Sequence, residues 1–371
     1  MEAIVAYELK ELGYKDLQTS NGQIEFTAGY EAIPRCNLWL RSAERVLIKL
    51  GQFKALTFDE LFERSKALPW ADILPVDANF PVAGKSIKSK LFSVSDCQAI
   101  TKKAIVEKMK EKYKLNWFAE TGVRYPIEVA LLDDIATITI DTSGRGLHKR
   151  GYRQLSAEAP LKETLAAALI NISRWRPDRA FIDPLCGSGT IPIEAALIGR
   201  NIAPGLMREF AGEKWPNFTK NIWKNAREEA YDLIDKVQEL GIFGYDIDPE
   251  AISLARYHAK LAGVDKLISF QVQDISKLNS RYKYGYLICN PPYGERLLDQ
   301  EEVEKLYAEM AHAFSRLDTW SFYIITSHPQ FTRFFGRRSD RRRKLFNGRI
   351  ECTYHQFYGP KPDQLQGPFA K

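Results

Sequence analysis

Nothing in this sequence pairs its cysteines. Cys36, Cys97, Cys186, Cys289 and Cys352 are scattered, odd in number and never spaced as CxxC. That argues against a zinc site or a disulfide framework and fits a reducing cytoplasm. The histidines (His148, His258, His312, His328, His355) are equally dispersed, so no metal-ligand cluster is legible. No apolar run reaches the ~18 residues needed to span a bilayer. The opening MEAIVAYELKELGY is amphipathic and acidic, unlike a secretory leader. Internal repeats and low-complexity tracts are absent too. Neither sign of charge dominates: 53 Lys and Arg against 47 Asp and Glu leave a net +6. Such a balance permits a nucleic-acid partner without requiring one.

What is present is a chain of 371 residues, long enough for two or three domains. The first third is α+β in pattern. Ala3 to Leu12 reads as a helix and Gln23 to Ala28 as a strand. Pro34 to Leu50 reads as a helix, because Leu40, Ala43, Val46, Leu47 and Leu50 share one face at the 3.6 period. Phe58 to Leu68 is a shorter helix, and Val82 and Ile87 mark a strand. In SVSDCQAITKKAIVEKMKEKY, Ser95 and Gln98 form a candidate capping box ahead of an amphipathic helix. Its polar side carries Lys102, Lys103, Lys108, Lys110 and Lys112, either a solvated face or one turned to phosphates. PIEVALLDDIATITIDTSG alternates around Asp133-Asp134 as a hairpin or two adjacent strands. SGRGLHKRGYR, Ser143 to Arg153, then reads as a linker and a domain boundary.

Beyond it, short apolar strands alternate with helices, the grammar of a parallel doubly wound sheet. Strands are expected at 179–183, 242–246, 268–272, 285–289 and 322–326, with helices at 161–175, 191–197, 249–261 and 303–317. Ligands of such sheets bind outside the carboxyl ends of the strands. Each unusual cluster in this half sits at such an end.

In AFIDPLCGSGTIPIEAAL a strand ends at Asp183, and Gly187, Ser188 and Gly189 lead into a helix. Glycines there allow close backbone approach, and the helix start offers free N–H groups to a nucleotide-like ligand. The dinucleotide fingerprint is excluded, because Pro192 stands where its third glycine belongs; no GK[ST] of a P-loop follows. In GYDIDPEAI, Asp246 can take both hydroxyls of a ribose, or cap the next helix. The long gap from Gly189 to Asp246 reads as an insertion over the cleft, residues 199–240, rich in Trp, Phe, Lys and Arg. In ISFQVQDIS, Asp274 can accept from the exocyclic amine of an adenine. In LICNPPYGERL, Asn290 and the Pro291 carbonyl offer two acceptors, Tyr293 offers a stacking face, and Pro291 and Pro292 stiffen the loop. Two acceptors aimed at an amine's hydrogens free the lone pair of a poor nucleophile, and stacking holds a base taken out of its helix.

In this order the clusters resemble a class I S-adenosylmethionine-dependent methyltransferase of the N-P-P-Y type. More narrowly, SGRGLHKRGYR, RPDRAFIDPLCGSGTIPIEAALIGRNIAPG and NPPYGERL resemble the THUMP-domain RNA guanine-N2 methyltransferases, a family often labelled N6-adenine-specific DNA methylase. The resemblance implies an α/β fold in three modules. These are a ferredoxin-like region at 1–55, a THUMP RNA-binding domain at 56–153 and a Rossmann-like catalytic domain at 154–371. It implies S-adenosyl-L-methionine as cofactor and no metal. Asp183, Pro184, Cys186 and the Gly187–Thr190 loop would hold the methionine end, Asp246 and Ile247 the ribose, and Asp274 and Ile275 the adenine. Asn290 would border both cofactor and base, and Asn290, Pro291, Pro292 and Tyr293 would receive a guanine. The implied partner is structured RNA, ribosomal ahead of transfer RNA, with no membrane.

Two rivals share much of this pattern: a DNA adenine-N6 methyltransferase, and a non-catalytic RNA-binding or ribosome-assembly factor. NPPY serves both amines, so the choice of guanine N2 rests on the resemblance alone. A last feature is RRRK at 341–344. Such a block is ordinarily a solvated loop; beside a base pocket, Arg341, Arg342 and Arg343 become candidate phosphate contacts.

Overall fold

The computed structural model describes residues 1–153, 161–216, 220–236, 239–292 and 300–361. The first module is small. Helix α1 (Glu2–Glu11) is followed by a hairpin of β1 (Gln18–Ser20) and β2 (Gln23–Glu25) and by α2 (Ala32–Trp39). Pro34 falls in the first turn of α2, where a missing N–H does no harm. The helix expected to run to Leu50 stops at Trp39, and β3 (Leu47–Lys54) takes the remainder. Tertiary pairing overrides the helical period here. Ile48 lies opposite Ile140 of a later strand, and a bulge between Lys49 and Gly51 shifts the register.

Next, α3 (Phe58–Lys66) opens on Thr57, whose hydroxyl accepts from Glu60 N at 3.1 Å. A short α4 (Trp70–Ile73), β4 (Val82–Ile87) and α5 (Val94–Tyr113) follow. The capping box expected at Ser95 is not formed: the helix begins two residues earlier, with Ser93 at its N-cap, and Ser95 Oγ lies 3.3 Å from Ser93 Oγ. Strands β5 (Ile127–Leu132) and β6 (Ile135–Asp141) form the expected hairpin. Its two-residue turn holds Asp133 and Asp134 both at positive φ, the primed geometry that matches strand twist. The four strands lie in the order β3-β6-β5-β4 over a core containing Trp70, Phe80, Ile105 and Tyr125.

The second half contains α6 (Glu163–Ser173), β7 (Phe181–Asp183), α7 (Thr190–Gly199), α8 (Lys220–Asp232), β8 (Ile242–Asp246), α9 (Pro249–Leu261), β9 (Ile268–Val272), β10 (Tyr286–Cys289), α10 (Gln300–Phe314), β11 (Ser321–Thr326), α11 (Phe331–Phe334), β12 (Arg341–Asn347) and β13 (Ile350–Phe357). Seven strands form one sheet in the order β12-β13-β11-β10-β7-β8-β9, with β13 antiparallel to β11 and β12. One buried cluster includes Leu169, Ile193, Ile252, Phe270 and Tyr354, and another Tyr307, Phe314, Trp320 and Phe357.

Two segments behave differently from their sequence reading. The supposed linker is a packed joint: Leu147, Arg150 and Tyr152 are buried, and Arg208 donates to the carbonyls of Gly146, Arg145, Lys149 and Ser143. The insertion reads as lying over the cleft, but its described aromatic residues Phe210, Trp215 and Trp223 pack back on the first two modules. Phe210 stacks on Trp223 in a cluster with Leu38 and Trp39, and Trp215 stacks on Tyr125 at 4.5 Å. Aromatic residues read as cleft cover are core residues of the joint.

Candidate active site

Parallel pairing brings the ends of β10, β7, β8 and β9 to one edge of the sheet. Asp183, Asp246 and Asn290 each lie at or one residue past such an end, and Asp274 two residues past β9. This edge is where a ligand of an open α/β sheet sits.

The glycine turn is held by a neighbouring carboxylate. Gly187 N donates to Asp246 Oδ2 at 2.8 Å, and Asp248 N to Asp246 Oδ1 at 3.1 Å. Asp248, not Asp246, caps α9, accepting from Glu250 N at 2.8 Å. Gly187 has φ +50° and open space where a Cβ would point. At Gly189, φ is +81° and a Cβ would lie 2.9 Å from that of Ala255, so the turn tolerates no side chain. Cys186 is buried beneath the turn, its thiol pushed well up by burial, and Pro184 lies inside it between Asp183 and Leu185.

Asp183 is 1% exposed and accepts from Leu185 N at 3.2 Å. Burial and the nearby Asp246 push its carboxyl well above the ordinary range. Ile247 is 63% exposed at the end of β8, an apolar side chain turned to open space, whereas Ile275 is buried. Asp274 accepts from Ser276 N at 2.7 Å, and hydrogen bonding from the Ser276 hydroxyl, then from that N–H, holds its carboxyl below the usual range.

Asn290 follows β10 with its Oδ1 buried and without a hydrogen-bond partner among the described residues. A buried acceptor in that condition costs roughly 1–3 kcal/mol unless something fills it. Pro291 and Pro292 follow directly; Tyr293 lies outside the described residues.

Several supporting residues escaped the sequence reading. Arg153 donates to Thr190 Oγ1 at 2.5 Å and to Leu161 O at 2.9 Å, and pairs with buried Glu163. Arg150 and Tyr152 both reach Glu194, the one acid of α7 and fully buried. His258 Nδ1 lies 3.2 Å from the Ser188 carbonyl, which can only accept, so that nitrogen carries the proton. The signal was available: a lone Glu in the apolar run TIPIEAALIG calls for a buried cation.

The candidate RNA contacts lie elsewhere. Lys102 bonds Glu120 at 2.6 Å and the Phe80 carbonyl at 3.1 Å, and Lys103 lies 5.7 Å from the Phe62 ring. Arg341, Arg342 and Arg343 are in the edge strand β12, with Arg343 partly buried. None of these five is among the strand-end residues gathered at the glycine turn.

Together, the strand order, the antiparallel last strand and a glycine turn clamped by a carboxylate from the next strand define a class I methyltransferase domain. Comparison with known proteins specifies it. A family model described as "RMKL-like, methyltransferase domain" matches residues 150–356, an "RlmL ferredoxin-like domain" matches 1–47, and a "THUMP domain" matches 55–141. The chain belongs to this RMKL-like methyltransferase family. It is 49% identical to the Bacillus subtilis (strain 168) protein named "Putative RNA methyltransferase YpsC", over 96% of this chain and 93% of that one. It is 34% identical to the "Ribosomal RNA large subunit methyltransferase K/L" of Psychromonas ingrahamii, over 95% of this chain but 48% of that relative, about half its length. Among solved structures, SMU.472, "a putative methyltransferase complexed with SAH", is 44% identical with a TM-score of 0.92, covering 98% of this chain and 96% of that one. A "predicted N6-adenine-specific DNA methylase" from Listeria monocytogenes is 52% identical, also with a TM-score of 0.92, covering 97% and 93%.

Proposed function

We propose that the protein transfers a methyl group from S-adenosylmethionine to the exocyclic N2 of a guanosine in structured RNA, ribosomal ahead of transfer RNA. The observation that carries this reading is the buried Oδ1 of Asn290, without a partner among the described residues, on the same sheet edge as Asp183 and Asp246. Bound there, S-adenosylmethionine supplies an electrophilic sulfonium methyl. Asp183 would accept from the ammonium of its methionine end, and the open side of Gly187 would leave room beside it. Asp246 and Ile247 would hold the ribose, and Asp274 and Ile275 the adenine. Asn290 Oδ1 and the Pro291 carbonyl accept from the two hydrogens of the base amine. The chain's contribution is positioning, with no covalent enzyme intermediate. Pro292 keeps Asn290 and Pro291 in place, and Tyr293 supplies the stacking face.

The THUMP module and the relatives named for RNA support an RNA substrate. They weigh against DNA adenine, although the same four clusters serve an adenine amine equally well. The modules in this reading are 1–55, 56–153 and 154–371, and five buried free cysteines suit a reducing cytoplasm. No helix of the described residues is long and apolar enough to cross a membrane. The test is transfer of labelled methyl to total RNA and to DNA, with nucleoside analysis of each. N2-methylguanosine in RNA is expected; methyl-adenine in DNA alone overturns the proposal.

A further inference from the structure

Strand register places the tip of the β12–β13 hairpin on the catalytic edge. Cys289 of β10 lies opposite Ile324 of β11, whose neighbour Ile325 lies opposite Tyr354, itself opposite Arg343 of β12. Asn290 is therefore level with Arg343. Arg341 and Arg342 lie behind that level. Residues 344–349 run past it, outward on the side where Asp183 and Asp246 end their strands.

At this tip Phe346 is 55% exposed, with the Lys344 ammonium 5.5 Å from its ring centre. The segment RRRKLFNGR, 341–349, holds five cations and no acid. Among the described residues, Lys344 alone of these five has an acidic ion-pair partner, Glu351 across the hairpin at 2.6 Å. Three strand spacings separate β12 from β10, about 14 Å across the sheet. Phe346 is thus too far for the target base and well placed for a neighbouring nucleotide. Phe346 and Gly348 also line a cleft of about 570 Å³. Its other walls carry Arg45, Lys49 and Lys85 from the two leading modules and Lys162 from the start of α6. The acids of this cleft are matched to its cations: Glu2 with the N-terminal amine, Glu25 with Lys49, Glu128 with Lys85, Glu44 with Lys162. It is therefore neither strongly basic nor apolar, and its one large exposed aromatic is Phe346.

We propose that Phe346 is a stacking platform for a nucleotide flanking the target, and that this three-module cleft leads the RNA strand from the THUMP domain to the catalytic edge. The proposal rests on the RNA reading above. An exposed ring beside a cation suits a base, whose flat face stacks whatever its identity. The bland alternative is that the cations only guard an edge strand against pairing and the ring does nothing.

The test compares the unmodified chain with Phe346→Ala, Phe346→Trp and Arg349→Gln. The probes are deproteinised large-subunit ribosomal RNA and bulk transfer RNA. Phe346→Ala should weaken binding to the methylated RNA about tenfold. S-adenosylhomocysteine affinity and the slope of binding against salt should stay unchanged. Phe346→Trp should restore binding, and Arg349→Gln should flatten the salt slope. RNA binding by Phe346→Ala equal to that of the parent overturns the platform while leaving the RNA reading intact. A parallel loss of S-adenosylhomocysteine affinity also overturns it, because the residue would then be structural. If the unmodified chain methylates no RNA, both readings fall.

Discussion

The buried Oδ1 of Asn290 needs a donor, and none of the described residues supplies one, which leaves it open to a bound amine or water. Asn290→Ala should therefore lower methyl transfer about 10²–10³-fold, as loss of one preorganised site group does. Binding of S-adenosylhomocysteine, measured by calorimetry, should change little; near-normal turnover would remove Asn290 from the reaction. Asp183 gives a pH prediction. Burial and Asp246 hold its carboxyl well above the usual range, which favours the protonated form. An ammonium partner favours the carboxylate. Cofactor binding should then release a proton, and affinity should rise as pH rises toward that raised pKa and level off above it. Calorimetry in buffers of different ionisation enthalpy reads that proton directly. Asp183→Asn should bind weakly and release none. Arg153 acts one step further out, through Thr190 at the start of α7. Arg153→Ala should weaken S-adenosylhomocysteine about tenfold, the equivalent of one charge-assisted hydrogen bond.

At the scale of elements, legibility followed locality. Strand β8, helix α9 and strand β9 match their expected bounds to the residue, because Pro249 at N1 and Asp248 at the N-cap are short-range signals. The four chemical clusters were legible for the same reason: each is a strand end and the turn that follows. Pro34–Leu50 misled because its last residues, from Leu47 on, belong to a strand that pairs with β6, a partner that begins only at Ile135. The β12–β13 hairpin was hidden by its own arginines, which read as a solvated loop and are in fact an edge strand. That strand has a titration consequence. His355 sits opposite Arg342, and burial together with that cation lowers its pKa to about 4. A histidine depressed on folding contributes stability above its unfolded pKa of about 6.5, and loses it as pH falls toward 4. Arg342→Gln should move the His355 midpoint upward in an NMR titration. A fixed midpoint would leave burial as the whole cause.

At the scale of the molecule, the distinctive feature is a joint and not a linker. Arg208 ties residues 143–149 down through four carbonyls, and Arg35 of α2 meets Glu229 of α8 at 2.9 Å. Trp215 carries the insertion onto the THUMP sheet, stacked on Tyr125 and donating to Arg124 O at 2.9 Å. None of this could be read from order along the chain, because every partner lies in another module. A rigid joint fixes the distance between the surface that grips a substrate and the edge where chemistry occurs, which is the condition for choosing one nucleotide by reach. Trp215→Ala tests this. Trp215 is 2% exposed, so its truncation should cost about 3–5 kcal/mol. The loss falls at the contact between modules and leaves the catalytic sheet intact. Calorimetric unfolding should split into two transitions where the parent shows one. S-adenosylhomocysteine affinity should hold within about twofold, since no cofactor group is touched. Transfer to RNA should fall, and the methylated position should spread to neighbouring nucleotides. A single transition with an unspread product would mean that the modules are aligned by the substrate and not by the joint.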